Sequence, residues 1–289
     1  MSSVRSADGT AIAYDKLGAG PPVILVGGAF SFRRYSRSVE LAELLAEQFT
    51  VFNYDRRGRG DSGDTAPYSV EREIEDLGAL IELAGSSACV WGQSSGGLLA
   101  LRAAAVGLPI EKLAIFEPPF RLDANGDAPP ADFATRLDQL VAANRRSQAV
   151  KYFMTKGMGA PAFFISLMRL SPQMWSRLTA VAHTLPYDVA VMGDTTEGKP
   201  LSPSDWESVR VETLVLSGAK SPDRAGNAGR ALADVLPNAR HVALAGQSYN
   251  IRMKPLAPVL EEFFSAPAQA GGPVSVNEAT AAQRAKPPR

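Results

Sequence analysis

The 289-residue chain predicts an α/β fold: a doubly wound, mostly parallel sheet carrying an inserted helical cap. Three observations point there. Short apolar runs alternate with amphipathic helical stretches over residues 1–120. The alternation stops over 121–205, where only helical patterning occurs. It then resumes over 206–265. Strands alternating with helices of this length build parallel sheets covered on both faces.

In order, "VRS" and "AIAYDKL" are two short strands joined at Asp8-Gly9. "VILV" is an unbroken apolar run, as expected of a strand buried on both faces. The helix "RSVELAELLAEQF", the strand "TVFNYD" and the loop "RRGRGDSGD" follow. "SVEREIEDLGALIELAG" reads as a helix with Ser69 as its cap and Glu71 and Glu73 near its positive end. Strand "ACVWG", helix "GGLLALRAAAVG" and strand "KLAIFE" complete the first part. The cap contributes "FATRLDQLVAANRRSQAVKYFMT" and "APAFFISLMRL" as helical segments. Strand "ETLVLSG", helix "AGRALADVL", strand "ARHVALA" and helix "LAPVLEEFF" close the second part. Residues 266–289 are rich in Ala, Pro and Gly and poor in large apolar side chains, which predicts a tail that buries little of itself.

Thirty basic residues balance thirty acidic ones, so no global charge points to nucleic acid or an anionic membrane. The single cysteine, Cys89, lies in the apolar "ACVWG" and reads as an inert core residue. With no disulfide to form, no apolar leader and no run of about 18 apolar residues, the expected setting is the cytoplasm. A homodimer is compatible with all of this.

"GQSSG", Gly92 to Gly96, is a weak signal by itself. Its context strengthens it, because it follows a buried strand and opens an apolar helix. A sharp strand-to-helix turn lifts Ser94 out of the sheet, and the flanking glycines permit the tight backbone. The helix N-terminus also places positive potential behind a developing oxyanion.

With "VILVGGAF" at the third strand and "YDRRGRGDSG" after the fourth, the chain resembles the α/β-hydrolase-fold superfamily over roughly residues 4–264. The resemblance implies an oxyanion hole from the backbone N–H groups of Ser95 and Ala29. It implies a catalytic acid after the sixth or seventh strand, which Glu117 and Asp223 respectively fit, and Glu117 is favoured because its strand ends on it. The arginines of "YDRRGRGDSG" read as ties between loops. The family histidine belongs on the loop after the last strand, where "LAGQSYNI" carries Tyr249 instead.

That exchange matters. Serine needs a neighbouring base near pKa 7 to give up its proton, whereas a phenol of pKa about 10 donates. Of the two histidines, His241 lies in the last strand and His183 in the cap. His183 is the one placed to reach the pocket. No Ser-x-x-Lys accompanies Ser94. The expected catalytic set is therefore Ser94, Tyr249 and Glu117, with no cofactor and no metal. The substrate-binding set is Gln93, Phe30, Phe153, Met154, Phe163, Phe164, Met168, Trp175 and His183, since Phe and Met suit a broad apolar or aromatic small molecule. Neither nucleic acid nor membrane is expected as a partner. The expected activity is non-hydrolytic: carbon–carbon bond formation, cyclisation or rearrangement of a conjugated compound in specialised metabolism. A serine hydrolase with an unusual base and a silent ligand-binding protein are the alternatives.

Overall fold

The computed structural model describes residues 2–123 and 128–267. Among them one sheet contains β1 (Ser2–Arg5), β2 (Ala11–Leu17), β3 (Pro22–Val26), β4 (Thr50–Tyr54), β5 (Ala88–Gln93), β6 (Ile110–Phe116), β7 (Glu212–Gly218) and β8 (Ala239–Leu244). The spatial order is β1-β2-β4-β3-β5-β6-β7-β8. β2 runs antiparallel to both its neighbours, and every pairing from β4 to β8 is parallel.

The strands are apolar on both faces because helices cover both. Alternate residues of β3, β5 and β6 separate cleanly: Ile24, Val90, Leu113 and Ile115 enter one core, Val23, Cys89, Trp91 and Phe116 the other. The second core is closed by α1 (Ser36–Leu45) and α11 (Met253–Ser265). The first is closed by α2 (Val70–Ala84), α3 (Ser95–Ala105) and α10 (Asp223–Val235). Cys89 is buried, and burial pushes its thiol up to about 12, so it is an unreactive core residue. Ser69 caps α2 by accepting the Arg72 N–H at 3.4 Å. β8, at the sheet edge, is the most exposed of the parallel strands.

Helix α3 lies unusually close to the sheet. A Cβ on Gly96 would strike the Val26 carbonyl oxygen and lie 2.6 Å from that of Gly27. Gly96→Ala is therefore expected to cost about 1–3 kcal/mol or more through overpacking. Thermal melting reads this directly; melting unchanged from the parent protein would mean that α3 can retreat from β3.

Between β6 and β7 the described residues hold helices and no strand: α4 (Phe133–Ala142), α5 (Arg146–Tyr152), α6 (Ala162–Met168), α7 (Pro172–Ala180), α8 (Leu185–Met192) and α9 (Pro203–Trp206). The continuous helix suggested by "FATRLDQLVAANRRSQAVKYFMT" is broken after α4. Asn144 adopts φ 52° there and its N–H bonds the Val141 carbonyl at 2.8 Å. Asparagine tolerates this left-handed geometry and ends helices with it. A π-helical turn, Phe153–Gly157, follows α5. α8 packs on α3 and α4, seating the cap on the sheet's covering layer. No helix among the described residues is long and apolar enough to cross a membrane. The expected tail lies outside the described residues from 268 onward.

Candidate active site

Ser94 stands at the end of β5 with φ 52° and ψ −126°, a left-handed conformation that non-glycine residues seldom adopt. Its N–H is held by the Phe116 carbonyl at 2.9 Å and its own carbonyl starts the helix by accepting from Leu98 at 3.1 Å. The strain is thus imposed from both sides, and such strain clusters at functional sites. Ser95, the first residue of α3, has a backbone N–H with no acceptor inside the helix.

The loop after β3 presses on this turn. A Cβ on Gly28 would meet the Gln93 carbonyl oxygen at 2.7 Å and the Ser94 Cβ at 3.3 Å, so only glycine allows the approach. Ala29 follows and shares a cavity wall with Ser94 and Ser95.

Glu117 ends β6 at φ 47° and is buried. Its Oε1 accepts the Gly218 N–H at 3.0 Å and the Ser221 hydroxyl. Burial pushes its carboxyl above the usual range, opposed by Ser221, the Gly218 N–H and the Arg224 charge. Asp223, by contrast, is exposed at the first turn of α10, where a carboxylate complements the helix dipole. The neighbouring Ser221, rather than Asp223, meets Glu117.

The loop after β8 is packed directly against Gly218, where an added Cβ would lie 2.6 Å from the Ser248 Cα. Lys220 N–H bonds the Gln247 carbonyl at 2.7 Å, and Arg252 N–H bonds the Gln247 side chain at 3.1 Å. Tyr249 is held between these anchors. It is 38 % exposed, and that surface faces the cavity it lines. Desolvation and the Glu117 charge push its phenol up to about 12, while the Ser94 hydroxyl pulls the other way. Ser94, Tyr249 and Glu117 line the same cavity. At neutral pH a phenol raised in this way keeps its proton.

Neither histidine lines this cavity. His241 Nε2 lies 2.9 Å from the buried Ser217 Oγ, and burial and Arg230 lower its pKa. His183 sits in a short 3-10 turn, and it does not line the cavity. Its Nδ1 makes no hydrogen bond among the described residues.

The cavity over Ser94 has a volume of about 740 Å³, within the range of small-molecule sites. Phe153, Met154, Phe164 and Met168 line it, as expected from the cap sequence. Five expected contacts are corrected. Gln93 lines a separate small recess with Trp91 and Met253. Phe30 stands edge-on against Phe153 at 5.6 Å, without lining the cavity. Phe163 is 74 % exposed, because adjacent residues of a helix point about 100° apart and Phe164 takes the inward direction. Trp175 donates to Ser147 Oγ at 3.0 Å inside the cap. His183 is the fifth. Leu167 and Met174 both line the cavity and are exposed, so it opens beside them.

One site residue was not anticipated. Asp188 of α8 is fully buried and accepts the Ser95 hydroxyl at 2.8 Å, Arg56 Nη1 at 2.7 Å and Arg59 Nη2 at 2.7 Å. Arg59 also donates to the Gly28 carbonyl at 2.7 Å, and Arg56 to Glu73 at 2.6 Å. The arginines do tie loops together, and a cap carboxylate is the knot. A lone acid in the apolar "TLPYDVAVM" is the signal that could have revealed it, since a charge amid apolar residues is buried only when paired.

A profile of the alpha/beta hydrolase family matches residues 23–252. Among solved structures, an alpha/beta hydrolase from Sphaerobacter thermophilus is 52% identical, with a TM-score of 0.85, over 91% of this chain and 100% of that one. A hydrolase from Pseudomonas aeruginosa is 23% identical, with a TM-score of 0.68, over 92% and 98% of the two chains. An enol-lactonase from Burkholderia xenovorans is 21% identical, also at 0.68, over 92% and 100%. The last two show the shared fold alone. Its motifs, sheet order and strained serine turn agree with the profile and the close structural match, and the chain belongs to the alpha/beta hydrolase family.

Proposed function

We propose that this protein is an α/β-hydrolase-fold enzyme whose site works by hydrogen-bond donation rather than acyl transfer. Its substrate is a large apolar carbonyl or conjugated compound, and its reaction a carbon–carbon bond formation, cyclisation or rearrangement. The observation that carries the reading is that Tyr249, on the loop after β8, lines the same cavity as Ser94 and Glu117 while neither histidine does; burial favours its protonated phenol. Ser94 and Tyr249 hydroxyls and the N–H groups of Ala29 and Ser95 are donors to one substrate oxygen. They stabilise charge as it develops, without any covalent step. The Phe- and Met-lined cavity supports an apolar substrate body.

Turnover of p-nitrophenyl esters should accordingly be weak, and Ser94 should resist labelling by a fluorophosphonate. Rapid labelling, abolished in Ser94→Ala, would overturn the proposal. It would favour a second reading, ester hydrolysis, which the 52% identical alpha/beta hydrolase supports.

A further inference from the structure

Charge on the cavity wall is lopsided. Among the described lining residues four are charged, and three of these are arginines: Arg37, Arg121 and Arg224, against Glu117. Two of the arginines hold the cap. Arg121 donates to the Gly157 carbonyl at 3.1 Å and Arg224 to that of Met158 at 3.0 Å, so both fasten the end of the π-helical turn to the core. Arg37 is different. It lies on α1, half-buried on the wall beside Tyr35, Tyr249 and Asn250. Its Nη1 and Nη2 share a single acceptor, Asn250 Oδ1, both at 3.4 Å. Those are long contacts for a group with five donors.

We infer that Arg37 and Asn250 form a subsite for a carboxylate on the substrate, so that the ligand is an apolar molecule with an anionic end. A carboxylate matches the planar fork of a guanidinium with two parallel hydrogen bonds, and a neutral hydroxyl cannot. Asn250 follows Tyr249 in the chain, and Arg37, Asn250, Tyr249 and Ser94 line one cavity. The subsite therefore shares a cavity with the group proposed to act on the substrate oxygen. Binding the anion there holds the ligand's remaining length along the Phe and Met wall. This rests on the cavity over Ser94 being the substrate site; it does not depend on whether Ser94 acts covalently.

Decanoate and decanol share an apolar body and differ in charge, so calorimetric titration of both isolates the anion. Decanoate should bind about tenfold tighter to the parent protein, a ratio within the range for a charged hydrogen bond. The preference should shrink with added salt. Arg37→Gln should abolish the preference while leaving decanol binding unchanged, and Arg37→Lys should retain part of it. Arg224→Gln should weaken both ligands alike, since it loosens the cap. Equal binding of the two ligands by the parent protein would overturn the inference and leave the apolar pocket standing. Binding of neither would overturn the cavity as substrate site, and the inference with it. A preference that survives Arg37→Gln would show that the anion is held elsewhere. Fluorophosphonate labelling of Ser94 tests the proposed chemistry separately, so the two failures can be told apart.

Discussion

Tyr249→His is expected to raise turnover of p-nitrophenyl esters by about 10²–10⁴-fold, the usual worth of a positioned general base. Ser94, Ala29, Ser95 and Glu117 line the same cavity as position 249. Ser94 is held on its strained turn, Ala29 and Ser95 flank it, and Glu117 is anchored by Gly218 and Ser221. An imidazole at position 249 would have Glu117 on one side to fix its tautomer and Ser94 on the other to deprotonate. In that background Glu117→Gln should remove most of the gain, and Ser94→Ala all of it. The same series separates donation from acyl transfer. Tyr249→Phe in the parent protein should leave ester turnover at its low level, because the phenol is no base. A folded Tyr249→His protein with no gain on any ester would mean that Glu117 is misaligned with the new ring, and that this site is built for donation alone.

Asp188→Ala should destabilise the fold by about 3–5 kcal/mol, because it leaves Arg59 buried without its carboxylate and takes from Arg56 one of its two, Glu73 being the other. Arg56 and Arg59 are both buried, and the Ser95 hydroxyl loses its acceptor as well. Urea unfolding measures the loss. A cost below about 1 kcal/mol would show that the arginines find water or other carbonyls when Asp188 is gone. The pH dependence has a defined sign. Burial works against the charged form of Asp188, but Arg59, Arg56 and the Ser95 hydroxyl outweigh it and hold the carboxyl below the usual range. A depressed folded pKa contributes stability fully above the unfolded value, about 3.9, and loses it as pH falls through the folded one. The gap between parent and variant should therefore be constant near neutrality and narrow only below about pH 4. The same loss should reach the serine turn, since Asp188 and Arg59 hold Ser95 and Gly28, which both pack beside Ser94.

The pattern of apolar runs was enough to place the eight strands and the helices that cover the sheet, though not the break between α4 and α5 in the cap. Burial on both faces forces continuous apolar strands, and one-sided burial forces helical periodicity. The serine turn was equally legible, because a strand, two glycines and a helix in that order admit only one backbone path. So was the presence of Tyr249 on the loop after the last strand, where it lines the cavity. The tertiary structure alone decided which cap residues face the substrate. Phe163 and Phe164 are identical in type and adjacent in sequence, yet only the second lines the cavity. Composition cannot distinguish them, since the choice rests on how α6 is rotated against the rest of the cap. It also decided the partners of Asp188, which lie 93 to 132 residues away in the chain. No local rule of spacing reaches that far. Pairing of buried charges depends on which surfaces the fold presses together, and only the completed packing of α8 on α3 brings this carboxylate to the back of the active site.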